Sequence, residues 1–398
     1  ILFMEHWPKM KNENKEKISF TSYPFVSIVV PAYNEEATIY KTVDSLCKLN
    51  WPHDKMEVMV INDGSHDNTS KLVKEYIAKH PDMPVVLIEQ KNQGKAAAMN
   101  NGLAKAKGKY FACLDADSFV DKEALRHIIF WHEKDPHLAI ATPIMKVATP
   151  KTWVQKFQRL EYMAGMLLAR LMGYVDSNYV APGPFSVYKT AITKKIGGFD
   201  TTSLVEDQEI AYRAQMHNYR IRQIPHAFVD TVGPLTMKGL LNQRNRWQKG
   251  TLINLIKYRK AIFNRKYGDF GMFQMPLNIA TFLLAIIALG SVFWYIVRPL
   301  YRMIRHWWLV RFDLLPYLQS FNWNLNILNL QITPMFILWI LLAMGIIWII
   351  VAARINKDKV RKYGTVHIVP YFLVFYIISS YVCVRVMIEL ALGKKQKW

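Results

Sequence analysis

The spacing of hydrophobic positions changes along the chain. From Phe25 a short β-branched run, FVSIVV, is followed by Pro-Ala-Tyr-Asn-Glu-Glu and then by ATIYKTVDSLCKL, a helical stretch. The unit repeats. EVMVI breaks at NDGSHDNT and leads into helical SKLVKEYIAKH, PVVLIE leads into AAAMNNGLAKA, and YFACL is a fourth strand. Strands alternating with helices predict a parallel α/β sheet. In such sheets ligands bind at the carboxyl ends of the strands. Asn34, Glu35, Asp63, Lys95, Asp115 and Asp117 all fall at those ends or just past them.

Beyond the sheet the pattern becomes helical and then continuously apolar. In TWVQKFQRLEYMAGMLLARLMGYV, residues Trp153, Phe157, Leu160, Ala164, Leu167, Leu168 and Leu171 recur at steps of three and four. This predicts one amphipathic helix over 150–173, either at a membrane interface or in an ordinary core. MKGLLNQRNRWQKGTLINLIKYRKAIF mixes apolar residues with cations, so 236–275 reads as interfacial helices. The runs 276–297 and 334–353 carry no charge over about 20 residues, enough to span a bilayer core. A weaker run covers 366–390. The expected organisation is therefore a polar linker (1–24), an α/β domain (25–235), interfacial helices (236–275) and a transmembrane region of about three helices (276–398). Ile1 is not Met, and ILFMEHW reads as the stub of an apolar segment, so a further N-terminal membrane segment is expected before it.

Charge adds partners to this picture. The 398 residues carry a formal net charge of +21 and are 52% hydrophobic. That is too apolar for a disordered chain, and the excess of cations favours acidic lipid or phosphate-bearing ligands. The basic residues cluster beside apolar helices rather than along a polar face with aromatics, so nucleic acid is not expected. Loop charge leaves orientation open: RINKDKVRKYG should face the cytosol, but RPLYRMIRHWWLVRF (298–312) would then lie outside with its arginines. Aromatics around 293–308 and 321–339 are candidates for a sugar path, more simply read as facing lipid. Cys47, Cys113 and Cys383 are widely separated and form no C-x-x-C, which argues against a disulfide framework or a zinc site. His226 is expected to satisfy a local hydrogen bond.

The candidate chemistry starts at GKYFACLDADSF. Strand side chains alternate, so Asp115 and Asp117 face one way and could share Mg²⁺ or Mn²⁺; a solvated turn is the plainer reading. Asp63 stands at a strand end where a carboxylate can reach a base or ribose. Lys95 begins a helix, with Gly94 beside it, where phosphate is favoured. No Walker loop and no G-x-G-x-x-G fingerprint occurs.

Taken in order, VVPAYNEE, INDGS, NQGKAAAMN, LDADS, GGFD, VEDQE and QRNRW resemble the membrane-embedded family-2 glycosyltransferases, which include cellulose, hyaluronan and poly-N-acetylglucosamine synthases. The resemblance implies a GT-A-like (Rossmann-like) domain on a transmembrane helix bundle. It implies an inverting, metal-dependent transfer from a UDP-sugar, UDP-GlcNAc or UDP-Glc, onto a growing β-linked polysaccharide. Asp207 would be the general base. Pro31, Tyr33, Glu35, Asp63, Lys95, Asp115, Asp117, Gln243, Arg246 and Trp247 would contact the donor, with the metal on Asp117 and Asp115. Gly183, Phe185, Glu206 and Trp247 would meet the acceptor. On a helix, Gln243, Arg246 and Trp247 share one face. The implied location is the cell membrane, multi-pass, with a cytosolic catalytic domain and an accessory membrane subunit as a candidate partner. The alternative is a non-processive transferase adding one sugar to a lipid carrier. VEDQE has Val where the family commonly has Thr, and PGPF matches no single sugar.

Overall fold

The computed structural model describes residues 2–309, 311, 332–358 and 365–393. Strand β1 (Val26–Ala32) is buried at every residue, and β2 (Met56–Asn62) at all but Glu57. Strands apolar on both sides need cover on both sides. Val26, Ile28 and Val30 pack with Val58 and Val60 in a core that takes in Ile39, Val43, Leu46 and Val73. These come from helices α2 (Ile39–Cys47) and α3 (Thr69–Lys79). Val29, Met59 and Ile61 point the other way, into a second core with Ala98, Met99 and Leu103 of α4 (Lys95–Lys105).

The sheet has eight strands in the order β3-β2-β1-β4-β7-β6-β8-β5. The first four positions are parallel as expected: β3 (Val85–Glu89) on β2, β2 on β1, and β1 on β4 (Tyr110–Cys113). The rest is mixed. β7 (Ser186–Lys189) runs antiparallel to both β4 and β6 (Leu138–Val147). β8 (Arg220–Thr231) is parallel to β6, and the short β5 (Ser118–Val120) is antiparallel to β8. Helix α5 (Ala124–Lys134) contributes Leu125, Ile128 and Ile129 to the first core. Register pairs Ala32 with Asn62 and Val29 with Cys113. The ends of β1, β2 and β4 therefore open onto one edge.

The N-terminal residues differ from the expected linker. Leu2–Glu13 is a helix, α1. Glu13 is buried, 2.7 Å from Arg222 Nη2 and 3.4 Å from Arg170 Nη2, and it also accepts from the Tyr174 hydroxyl. Its partners lie far away in sequence, so the local polar pattern carried no trace of them.

Helix α6 (Trp153–Tyr174) opens with a capping box between Thr152 and Gln155. Phe157, Leu160, Leu167 and Leu171 are buried in a core shared with Ile349, Ala352 and Ala353 of the Ile332–Ile355 helix. Trp153 and Leu168 leave the predicted stripe and are 50% and 45% exposed. Arg159 Nη2 reaches Asp358 at 2.7 Å, and Asn356 Nδ2 donates to the Met163 carbonyl. After α7 (Thr190–Lys195), α8 (Glu206–Met216) and α9 (Met237–Lys257) follow. α10 (Met275–Val292) and α11 (Arg298–Leu309) lie in one continuous helix of 40 residues from Phe270 to Leu309. At 1.5 Å per residue it is about 60 Å long, roughly twice a bilayer core. This helix and Ile368–Ala391 are long and apolar enough to cross a membrane, their most apolar 18-residue stretches having mean hydropathies of 2.2 and 1.9. The arginine-bearing stretch from 298 continues as helix to Leu309. The aromatic positions at 321–331 lie outside the described residues.

Candidate active site

The turn after β1 is held by the loop after β2. Asn34, in the left-handed region at φ 55°, accepts from the His66 N–H at 2.9 Å, and its own N–H donates to Ser65 Oγ at 3.0 Å. The Glu35 N–H donates to Thr69 Oγ1 at 2.8 Å. Burial raises the Glu35 carboxyl above its ordinary value, the Thr38 hydroxyl works against this, and the Asp115 charge adds to it. Tyr33 is exposed just past the strand, whereas Pro31 is buried opposite Ile61 and offers no ring to a ligand.

Asp63 departs from expectation. It is 3% exposed. Its Oδ1 accepts from Gln90 Nε2 at 2.8 Å and the Gln93 N–H at 2.9 Å, and its Oδ2 from the Gly94 N–H at 2.8 Å. Both oxygens thus fold the loop that delivers Lys95, instead of facing an open site. Lys95 Nζ lies 2.6 Å from Asp115 Oδ1 and 2.9 Å from Glu206 Oε1. Burial alone would lower this ammonium, but Asp115 and Glu206 hold it well above its ordinary value.

Asp115 and Asp117 stand just past β4. Burial first, then the Asp115 charge, pushes the Asp117 carboxyl up to about 6. Among the described residues no cluster of three or more His, Cys, Asp or Glu forms a metal cage. Two hard carboxylates are nevertheless the donor set Mg²⁺ uses when substrate phosphates and water complete its shell. In PGPF the two expected acceptor residues divide. A Cβ on Gly183 would stand 2.6 Å from Asp115 Oδ2 and 2.8 Å from Lys95 Nζ, so the glycine keeps that corner open. Phe185 is fully buried in the first core, at φ 58°, and cannot touch an acceptor.

Glu206 and Asp207 begin α8. Burial would raise Glu206, but the Lys95 cation outweighs it and holds the carboxyl low. Asp207 is pushed up to about 6 by burial and by the Glu206 charge. The helix is fixed behind them. Gln208 Nε2 donates to Thr251 Oγ1 at 2.9 Å and Gln208 Oε1 accepts from Asn254 Nδ2 at 3.1 Å. Glu209, 1% exposed, takes Lys257 at 2.8 Å and Arg213 at 2.7 Å. These tethers were not anticipated, although Gln208 and Glu209 sit inside VEDQE.

Gln243 and Trp247 share a neighbour, Arg244. Gln243 Oε1 accepts from Gln158 Nε2 of α6 at 3.0 Å. The Arg246 charge is felt at Glu206. Trp247 is part exposed, with the Arg244 guanidinium 4.1 Å from its ring centre. His226 meets the Asn14 carbonyl at 3.1 Å, a structural contact to a segment far away in sequence rather than the local one expected.

Residues 27–197 match the family Glycosyl transferase family 2. The chain carries a family-2 glycosyltransferase domain. The chain is 31% identical over 226 residues to the poly-beta-1,6-N-acetyl-D-glucosamine synthase of Staphylococcus epidermidis, covering 56% of this chain and 54% of the synthase. It is 28% identical over 299 residues to the probable glycosyltransferase YdaM of Bacillus subtilis, covering 74% and 70%. The chain spans about half the length of the synthases it matches. Among solved structures, a Pyrobaculum calidifontis mannosyltransferase in complex with GDP-Man and Mn²⁺ superposes with a TM-score of 0.54 at 20% identity, covering 77% of this chain and 90% of that one. The mixed sheet is thus that of the GT-A fold.

Proposed function

We propose that this chain transfers a sugar from a UDP-sugar, UDP-N-acetylglucosamine first among them, to the end of a growing β-linked polysaccharide at the cell membrane. The observation that carries the reading is Asp207. It is half-buried at the start of α8 with its carboxyl pushed up to about 6, and Lys95 ties its neighbour Glu206 to Asp115. A base tuned near the working pH is what acceptor activation needs, and it contributes about 10²–10⁴-fold.

The acceptor hydroxyl oxygen attacks the anomeric carbon opposite the diphosphate. Asp207 takes the hydroxyl proton, the bond from carbon to the diphosphate oxygen breaks, and UDP leaves with the configuration inverted. Asp117 and Asp115 would hold Mg²⁺ or Mn²⁺, which when bound neutralises charge on the diphosphate. Gly183 leaves room beside Asp115, Arg246 offers a guanidinium to phosphate, and Trp247 presents a flat face to the acceptor sugar. The donor choice leans on the names of the staphylococcal relatives. The apolar helices support a membrane location; in this proposal the catalytic domain lies on the cytosolic side and synthesis is coupled to translocation.

The test is turnover of the purified full-length protein in lipid with Mn²⁺ and a panel of UDP-sugars, following UDP release and product size. A high-molecular-weight product from one donor, absent in Asp207→Asn, is expected. A small lipid-extractable product would replace polymerisation by single transfer. Full turnover in Asp207→Asn would refute the assignment of the base.

A further inference from the structure

One face of the Trp247 indole is already occupied. Arg244, 4% exposed, lies against it, and its position on α9 is over-determined. The guanidinium is ion-paired with Glu161 of α6, and its Nη1 donates to Gln243 Oε1 at 3.2 Å. Tyr162 is buried beside Glu161. Gln158, fully buried, closes the frame through Gln243. Gly233, just past β8, makes space for it, since a Cβ there would stand 2.4 Å from Gln158 Oε1. An arginine fixed at this many points is no surface cation free to swing away.

We propose that Arg244, clamped by Glu161, is the positioning residue for Trp247: it backs one face of the indole and fixes the ring so that the opposite face meets the acceptor sugar. This rests on the reading of Trp247 as the acceptor platform. A desolvated guanidinium over an indole is among the stronger cation–π contacts, so its loss frees the ring. Arg244 acts on the acceptor only through Trp247 and leaves donor binding alone.

A double-mutant cycle on the full chain in lipid tests this, with UDP-GlcNAc as donor and a short β-linked N-acetylglucosamine oligosaccharide as acceptor. Arg244→Met should raise the acceptor KM about tenfold with the donor KM within twofold. Trp247→Ala should do at least as much, and the double variant should be no worse than Trp247→Ala. Arg244→Lys, which keeps the charge but not the planar face, should recover only part of the loss. If Arg244→Met fails to fold because Glu161 is stranded, Glu161→Gln with Arg244→Met removes both charges and the same cycle is read on that pair. Two single effects that multiply in the double variant, or a rise in donor KM, would overturn the proposal. An acceptor KM unchanged in Trp247→Ala would instead refute the platform reading, and the positioning role with it. An unchanged Arg244→Met beside an impaired Trp247→Ala refutes positioning alone.

Discussion

Replacing Gly183 by alanine probes the site with the smallest possible change. The added Cβ would stand 2.6 Å from one Asp115 oxygen, 2.7 Å from the other and 2.8 Å from Lys95 Nζ, whereas ordinary contact begins at 3.4 Å. The carboxylate must therefore retreat by about 0.8 Å, the difference between 3.4 and 2.6 Å. Lys95 can swing at the end of a flexible chain, but Asp115 is short and sits next to the Asp117 strand end. A misplacement of order 1 Å in a reacting site costs about 10²-fold in rate, and overpacking costs about 1–3 kcal/mol in stability. The expected outcome for Gly183→Ala is turnover down about a hundredfold at saturating donor, with a melting point lowered by only a few degrees. Gly165 on α6 is the control, since a Cβ there meets nothing within 4 Å. Gly165→Ala should keep full turnover and gain up to about 1 kcal/mol from helix propensity. Turnover in Gly183→Ala within threefold of the parent would show that Asp115 and Lys95 do not need the geometry described.

Asp207→Asn should lower UDP release by about 10²–10⁴-fold with donor affinity retained by equilibrium binding; loss of donor affinity would place Asp207 on the donor instead. The base must be deprotonated to act, and its carboxyl lies near 6, so kcat/KM should fall as pH drops through about 6. A profile flat down to pH 5 would contradict that. Chelation should abolish turnover and Mn²⁺ or Mg²⁺ restore it, with Asp117→Asn needing more than about tenfold more metal; turnover that persists in chelator would rule the metal out. Lys95→Met strands the buried Glu206 without its cation. After discounting for solvent at Lys95, whose side chain is 32% exposed, the cost is about 2–3 kcal/mol, read as a lower melting point that Lys95→Arg largely restores.

The parallel half of the sheet was legible because strands buried on both faces are continuous apolar runs, and their ends could be read off the first polar residue. That is why Glu35, Lys95, Asp115 and Asp117 were found together. The mixed half was not legible: β7 is only four residues long and enters the sheet in the opposite direction from β4, a choice made by tertiary packing. Single residues were misjudged where burial decides. Phe185 belongs to the core although it follows Gly183, and Asp63 serves a loop although it stands at a strand end. Pairs such as Glu13 with Arg222 or Arg159 with Asp358 join distant segments, and each partner alone looks like an ordinary surface charge.

The ties between helices and domain bear on modularity. Asp358 closes on Arg159, Glu389 of the last helix accepts from Asn245 and pairs with Lys249 at 3.5 Å, and Asn278 of α10 donates to the Tyr212 hydroxyl at 3.0 Å. A chain cut near residue 265 would lose all three attachments and bare the apolar stripe of α6. Breaking a single buried ion pair costs about 3–5 kcal/mol, and a domain holds only about 5–15 kcal/mol in all. The catalytic half is therefore no detachable cassette. The apolar helices are the floor on which it folds, and a chain trimmed of them would forfeit the fold as well.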